Sequence, residues 1–448
     1  MNSFLTLIGK LTLWFSKILN LGAGSTWPGH IAMETNPKFV QNVLKKNPNL
    51  KIVLIAGTNG KTTTSLMLQK ILEEEGLKVF RNEAGANLLN GLASTIIQKG
   101  SLTGRLNFDA MIFEVDENNL SLVLAELSHV NGHMSIVLLN LFRDQLDRYG
   151  EVNTIAQKWN KALRKLPISS TIFTNGDDPK LADIANDSTL VRYYFGIDES
   201  LMKKSEVGYD VDFAYCPNCN TKLKFSKVAY SHLGKFHCPN CGYTNPDTMT
   251  FPSLPHPLLG TYNIYNENAA VLVANKVFNV SKDTVHKALV DFKPAFGRQE
   301  KIVYKDRDVV LLLAKNPAGA NQAISAINEY RHPELVSGSR NDKKPNILLV
   351  LNDRIPDGRD VSWIWDVDFD ELKSDVNKIF VSGDRVFDMS LRIKYSQLSH
   401  VKCQMFENLQ EAIDTSISET AKDETLFILP TYSAMLEVRK ILTGRSIL

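Results

Sequence analysis

The sequence has no apolar run long enough to cross a bilayer, almost no net charge and few cysteines. A spanning helix needs roughly 20 consecutive apolar residues, and the strongest candidate, residues 4–19, is interrupted by Lys10 and Lys17. It is expected to form an amphipathic helix, either packed on its own domain or lying at the inner face of the cytoplasmic membrane. No small-residue cleavage site follows it, so the expected location is the cytoplasm. Lys and Arg number 51 against 49 Asp and Glu, which leaves no strongly basic surface for nucleic acid to draw on. Five cysteines in 448 residues are too few for a disulfide scaffold. Four of them come in two pairs, which in a reducing compartment points to metal. The length predicts two to three domains.

What is present starts at residues 51–56, Lys-Ile-Val-Leu-Ile-Ala, read as a buried strand. Gly57, Thr58, Asn59 and Gly60 follow, and Lys61, Thr62 and Thr63 open a helical pattern that continues to Leu72. Backbone N–H groups of such a turn cradle phosphate oxygens, the lysine reaches the outer phosphates and a threonine hydroxyl can hold Mg²⁺. These seven residues are the candidate nucleotide-binding set. The longer form of this loop has a glycine where Ile55 stands, so the loop here is a shortened one. Residues 110–117 read as a strand ending in carboxylates. Ligands of an open parallel sheet bind at the carboxyl ends of its strands, so Glu114 falls where a nucleotide's metal would be. Strands at 134–139 and 171–175 again deliver polar residues at their ends, and the alternation of strands and helices to Gly196 predicts a doubly wound α/β domain.

The pattern then breaks at Cys216-Pro217-Asn218-Cys219 and Cys238-Pro239-Asn240-Cys241. Each C-x-x-C sets two thiolates on one tight turn, and two such turns complete a tetrahedral S₄ site, chiefly for structural Zn²⁺, with iron the minority alternative. A ribbon inserted over about 206–250 and stapled by the metal is expected. Cys403 stands alone and is expected to be a core thiol. Beyond the ribbon, Asn263 and Asn266 share a face of an Ala-rich helix, and 294–299 is a Pro/Gly punctuation carrying Arg298. Strands at 309–314, 346–351, 378–382 and 425–429 predict a second, smaller α/β domain, with a polar loop at 332–344.

In order and spacing, Ala56 to Thr62, Glu114, Asn140 with Asp144-Gln145-Leu146-Asp147, Asn175 with Asp177-Asp178-Pro179, Gly260 with Asn263 and Asn266, and Gly297-Arg298 resemble the Mur ligases over nearly the whole chain. The two C-x-x-C turns, Leu313-Ala314-Lys315-Asn316-Pro317, the Asp357 to Asp366 segment and Leu429-Pro430-Thr431-Tyr432 narrow this to an amidating branch, whose synthetase subunits work beside a glutaminase. The resemblance implies a lead-in segment over 1–45, a central ATP-binding domain over 46–296 carrying the ribbon, and a Rossmann-like C-terminal domain over 297–448. It also implies ATP and Mg²⁺, an acyl phosphate on the α-carboxyl of D-isoglutamate in lipid II, ammonia from a GatD-like glutaminase subunit, and no nucleic acid. By position, Lys61 would hold the β- and γ-phosphates, Thr62 and Glu114 the Mg²⁺, and Asn266 and Arg298 the nucleotide. Asp357, with Asp353 and Asp360 as alternatives, would orient the partner's catalytic histidine. Two residues depart from the family pattern: Gln145 replaces a histidine and Leu313 an aspartate. Lys158 is a candidate for the family's carbamylated lysine. Two competing readings stay open, a stand-alone amino-acid ligase of Mur or folylpolyglutamate type and a zinc-ribbon nucleic-acid-binding protein.

Overall fold

The computed structural model describes residues 2–18, 26–82, 86–130, 133–144, 152–202, 207, 211–331, 344–372, 376–398 and 400–445. Its central strand is β1 (Lys51–Ala56). Ile52, Leu54 and Ala56 enter one core and Val53 and Ile55 the other, so both faces of the strand are covered. Around it run β2 (Val79–Arg81), β3 (Ala110–Val115), β4 (Met134–Leu138), β5 (Thr171–Asn175) and β6 (Val191–Phe195), in the order β2-β3-β1-β4-β5-β6. Every pairing is parallel. Chain order reverses beside β1, which has β3 on one side and β4 on the other. The crevice of an open α/β sheet forms at such a switch point.

One face of this sheet is covered by helices Lys61–Glu74 and Thr261–Phe278, which bury Met67, Leu68, Ala269 and Val273. The opposite face holds Leu92, Leu124 and the fully buried Trp159 from other helices. Each large side chain so buried contributes about 1.5–3 kcal/mol. The N-terminal helix Asn2–Ile18 packs on helices Trp27–Thr35 and Leu89–Lys99 through Leu5 and Gly9. A Cβ at Gly9 would lie 2.8 Å from Ile97 Cγ2, so glycine permits this approach.

Strands β7 (Lys224–Tyr230) and β8 (Leu233–His237) form an antiparallel hairpin between the two cysteine turns. The second large sheet contains β9 (Arg298–Tyr304), β10 (Arg307–Leu312), β11 (Asn346–Val350), β12 (Lys378–Ser382), β13 (Lys402–Met405) and β14 (Thr425–Pro430), ordered β13-β12-β11-β14-β10-β9. All its pairings are parallel except β9 with β10. That hairpin turns through Lys305 and Asp306, both at positive φ, as a tight hairpin requires.

Cys403 corrects an expectation: it is exposed on β13, an edge strand whose side chains are mostly in solvent, and is not a core thiol. Residues 145–147 and the expected loop at 332–343 lie outside the described residues.

Candidate functional site at the end of the central strand

The backbone leaves β1 through Gly57 at φ 149° and enters the next helix through Gly60 at φ 87°. Only glycine fits at either position. A Cβ at Gly57 would sit 2.9 Å from Leu139 Cβ, and one at Gly60 would collide with Asn266 Oδ1. Asn140, just beyond β4, braces the loop from the side: Asn59 N donates to its Oδ1 at 2.9 Å, and its Nδ2 donates to Asn59 O at 3.0 Å. Thr58 is tied likewise, with Phe142 N donating to its hydroxyl at 2.9 Å. The loop is therefore held in shape by the protein's own hydrogen bonds.

Lys61 Nζ donates to Gly57 O at 2.5 Å and pairs with Glu117 Oε2 at 3.1 Å. Burial pushes the Glu117 carboxyl up, but Lys61 and Lys315 outweigh it and hold the group below the usual glutamate range. Glu114 accepts from Thr62 Oγ1 at 2.6 Å, from Ser65 Oγ at 2.7 Å and from Arg81 Nη1 at 2.9 Å. Asn82 clamps its backbone, accepting from Glu114 N at 2.9 Å and donating to Glu114 O at 3.0 Å. Thr62 and Glu114 thus present hard oxygen donors side by side, the ligand type that Mg²⁺ prefers. Asp144 lies in the same cavity, and its Oδ1 is buried with no hydrogen-bond partner among the described residues, as suits a further cation ligand.

The second sheet closes the site. Lys315 bonds to the buried Asp144, and Asn59 and Asn316 exchange amide contacts at 3.4 Å. Burial raises the Asp144 carboxyl despite Lys315. Asn266 donates to Asn263 at 3.2 Å, and burial holds the Arg298 guanidinium below its ordinary value. A cavity of about 540 Å³ is lined by Thr58 to Thr63, Glu114, Asn266 and Arg298 together with Glu117, Asp144 and Lys315. One space therefore gathers the nucleotide candidates and the Mg²⁺ candidates, apart from Gly57, which forms the turn beneath them. Glu117 as partner of Lys61 was not foreseen; its only sequence signal was a place at the carboxylate-rich end of β3.

Asp357 stands beside this space and outside its lining, next to Ile355 and Pro356, which do line it. Its carboxylate is buried and faces inward, accepting from Ser433 N at 2.8 Å and from the Ser433 hydroxyl. Burial raises it, and the Ser433 bonds oppose the rise. Asp353 is paired with Arg385 at 3.1 Å, and Asp360 accepts from Ser362 N at 2.8 Å. Lys158 donates to Asn118 Oδ1 at 3.1 Å in an exposed setting outside the cavity lining.

The sulfur atoms of Cys216, Cys219, Cys238 and Cys241 all lie within 4.8 Å of one another, at 3.5 Å for Cys216–Cys241 and 3.4 Å for Cys219–Cys238. That is close to the spacing of four thiolates around one tetrahedral zinc, each about 2.3 Å from it. Bonds from Thr221 and Asn240 lower the Cys219 thiol to about 5, whereas burial pushes Cys216 up to about 12, so it is the spacing of the four sulfurs that points to a metal. The hairpin is fastened to the end of β5. Lys235 pairs with the buried Asp177 at 2.8 Å, and Tyr243 OH, just past the second cysteine turn, donates to Pro179 O at 2.7 Å. The sequence announced the four cysteines but not these anchors.

Residues 55–274 match the Mur ligase middle domain, and residues 313–435 match the MurT ligase C-terminal domain. A lipid II isoglutaminyl synthase (glutamine-hydrolyzing) subunit MurT of Streptococcus pneumoniae is 32% identical over 447 residues, covering 95% of this chain and 94% of that one. Its counterpart in Staphylococcus aureus strain COL is 28% identical over 398 residues, covering 84% of each. Among solved structures, a pseudomurein peptide ligase type C from Methanothermus fervidus superposes with a TM-score of 0.65 at 21% identity, covering 96% of this chain and 84% of that one. MurF from Acinetobacter baumannii does so with a TM-score of 0.61 at 17% identity, covering 91% and 79%. These two share the fold, with its parallel central sheet and separate C-terminal sheet. The phosphate loop at the switch point, the second sheet closing over it and the identity along the whole chain have one reading: the chain belongs to the MurT family of Mur ligases.

Proposed function

We propose that the protein is the synthetase subunit of a glutamine-dependent lipid II amidotransferase, amidating the α-carboxyl of D-isoglutamate in the peptidoglycan precursor. The observation that carries this is the single cavity in which the phosphate loop, Glu114 and Asp144 meet Arg298 and Lys315 of the second sheet, in a chain so similar to MurT subunits. A carboxylate does not accept ammonia until one of its oxygens can leave. Transfer of the γ-phosphoryl group of ATP to that oxygen gives an acyl phosphate; ammonia then attacks the carbonyl carbon and orthophosphate departs. Lys61 and the loop amides would hold the phosphates, with Asn266 and Arg298 on the remainder of the nucleotide. Mg²⁺, held by Thr62 and Glu114 with Asp144 within reach, supplies charge neutralisation when bound.

Ammonia is mostly ammonium at neutral pH, so a glutaminase partner of GatD type is the proposed source. The chain offers no cysteine for that chemistry: four cluster together, and Cys403 is on an edge strand. Asp357 remains our proposed orienter of the partner's histidine. Its support is position beside the cavity wall, and taking up that role requires release from Ser433. We assign zinc to the four thiolates as a structural ion. We take 46–296, with the ribbon at about 206–250, and 297–448 as the two ligase domains behind a lead-in at 1–45. Co-purification with a glutaminase-type partner, followed by ATP- and glutamine-dependent loss of one carboxylate from lipid II by mass spectrometry, tests the reading. ATP turnover that requires an added amino acid and no partner would replace it with the stand-alone ligase.

A further inference from the structure

The hairpin that carries the four thiolates has two ends, and the thiolates are at only one of them. Cys238 follows β8 directly, whereas the turn of the hairpin, Ser231 and His232, lies at the other end, about 17 Å away at roughly 3.4 Å per strand residue. That turn is driven into the protein. His232 is fully buried: its Nε2 lies 3.4 Å from Asp178 Oδ2, its ring stands edge-on to Phe213 with centroids 5.1 Å apart, and it meets the Phe142 ring at 5.0 Å. Tyr230, which ends β7, meets the same Phe142 ring at 5.9 Å. Phe142 is the residue whose backbone holds Thr58 of the phosphate loop, its N donating to the Thr58 hydroxyl and its carbonyl accepting from that hydroxyl at 3.2 Å. The next two residues continue the connection. Asp212, on the chain leading into the ribbon, accepts from Arg143 N at 2.9 Å and pairs with the Arg143 guanidinium at 2.6 Å, and Asp144 lines the cavity.

We infer that the ribbon is a support for the phosphate loop, with His232 the positioning residue at its working end and the metal closing the far end. A two-stranded hairpin is marginally stable by itself. What keeps this one in place is the joining of its open end through four thiolates on one ion, together with its anchors at the end of β5. Protein interiors are close-packed, so shortening the His232 ring would open a space into which Phe142 can relax. Thr58 follows Phe142, because the hydrogen bonds run directly between them. The consequence for nucleotide rests on the reading of this loop as a phosphate site; the consequence for the loop itself does not.

The test uses the full chain loaded with zinc. Hydrogen exchange of the Thr58 and Asn59 amides, both bonded to Asn140, is followed without ligand, and ADP affinity is measured with Mg²⁺. His232→Ala, still holding its zinc, should speed exchange at these amides and weaken ADP, each by about tenfold. His232→Phe restores a ring against Phe142 and should return both toward wild type. Leu124→Ala, a truncation on the other face of the sheet, lowers thermal stability and should leave both readouts at wild-type values. Should His232→Ala not fold, removal of zinc from the unaltered chain by a chelator gives the same readout from the far end of the hairpin, again with faster exchange expected. Unchanged loop exchange in His232→Ala or after zinc removal, or the same loosening in Leu124→Ala, would overturn the inference. Faster loop exchange in His232→Ala with no ADP binding by the wild type would overturn the nucleotide reading and leave the support standing.

Discussion

Two strands of this molecule end in the same way and are put to different uses. Strand β1 lies between β3 and β4, and β14 lies between β11 and β10; a helix follows β1 after the four-residue loop and β14 after Thr431. The helix after β1 starts at Gly60, and no side chain among the described residues caps it. Its first residue, Lys61, adds a cation, so the unpaired amides and the positive end of the dipole face the cavity. The helix after β14 starts at Thr431, and there the Asp357 carboxylate takes the Ser433 amide and hydroxyl. There an internal carboxylate accepts from the first turn of the helix. The two helix starts thus differ in whether the protein supplies its own carboxylate, and only the first is proposed to take an outside anion.

Breaking the open end should have the largest effect. Lys61→Ala should lower ATP-dependent amidation by about a hundred- to a thousandfold and also lower the melting temperature, because it takes the paired cation from the buried Glu117, read by steady-state assay and calorimetry. Next, Lys315→Met should destabilise the protein by about 3 kcal/mol in denaturant titration, because it leaves Asp144 buried without its cation. The double change Asp144→Asn/Lys315→Met should recover part of that loss.

Opening the closed end is a smaller perturbation. Asp357→Ala should cost about 1–2 kcal/mol through the lost cap, and Ser433→Ala a similar or lesser amount, with nucleotide affinity retained in both. If Asp357 also orients the partner's histidine, glutaminase turnover should fall in the Asp357 variant and not in Ser433→Ala. Equal turnover in both would leave Asp357 only its capping role. The smallest effect concerns His256, whose Nδ1 lies 3.1 Å from Glu267 Oε2, one residue beyond Asn266. The bond to Glu267 raises the histidine above its ordinary value of 6.5. Its contribution is therefore complete below pH 6.5 and is lost as pH rises through the higher folded-state value. Melting curves of His256→Gln should lack that decline.

The sequence made legible what is contiguous or strictly spaced. The phosphate loop is one uninterrupted stretch, and the S₄ cluster is written in two C-x-x-C turns. Both sheets were visible through their central strands, whose buried faces leave continuous apolar runs. In the two large sheets the strands not legible in the sequence, β2, β6, β9 and β13, are all at the edges, where one side is solvated and the apolar pattern fades. Lys61–Glu117, Lys315–Asp144 and Lys235–Asp177 join residues far apart in the chain, and a charge alone does not name its counterpart. Asp357 sits in an Asp-Gly-Arg-Asp stretch that reads as a solvated turn; its burial depends on Ser433, a residue that only the folding of β14 brings near.

The paired amides of Asn59 and Asn316 place the seam between the two sheets on the phosphate loop itself. Any molecule resting on that loop and touching Arg298 or Lys315 works as an adhesive, since it binds the joined pair better than either part. By linkage, its binding energy is added to the cohesion of the seam. Heating without such a molecule should melt the two sheets as separate calorimetric transitions, and saturating nucleotide should draw them together into one. On the proposed function a spent nucleotide would sit in that seam, and its release would require the two sheets to part.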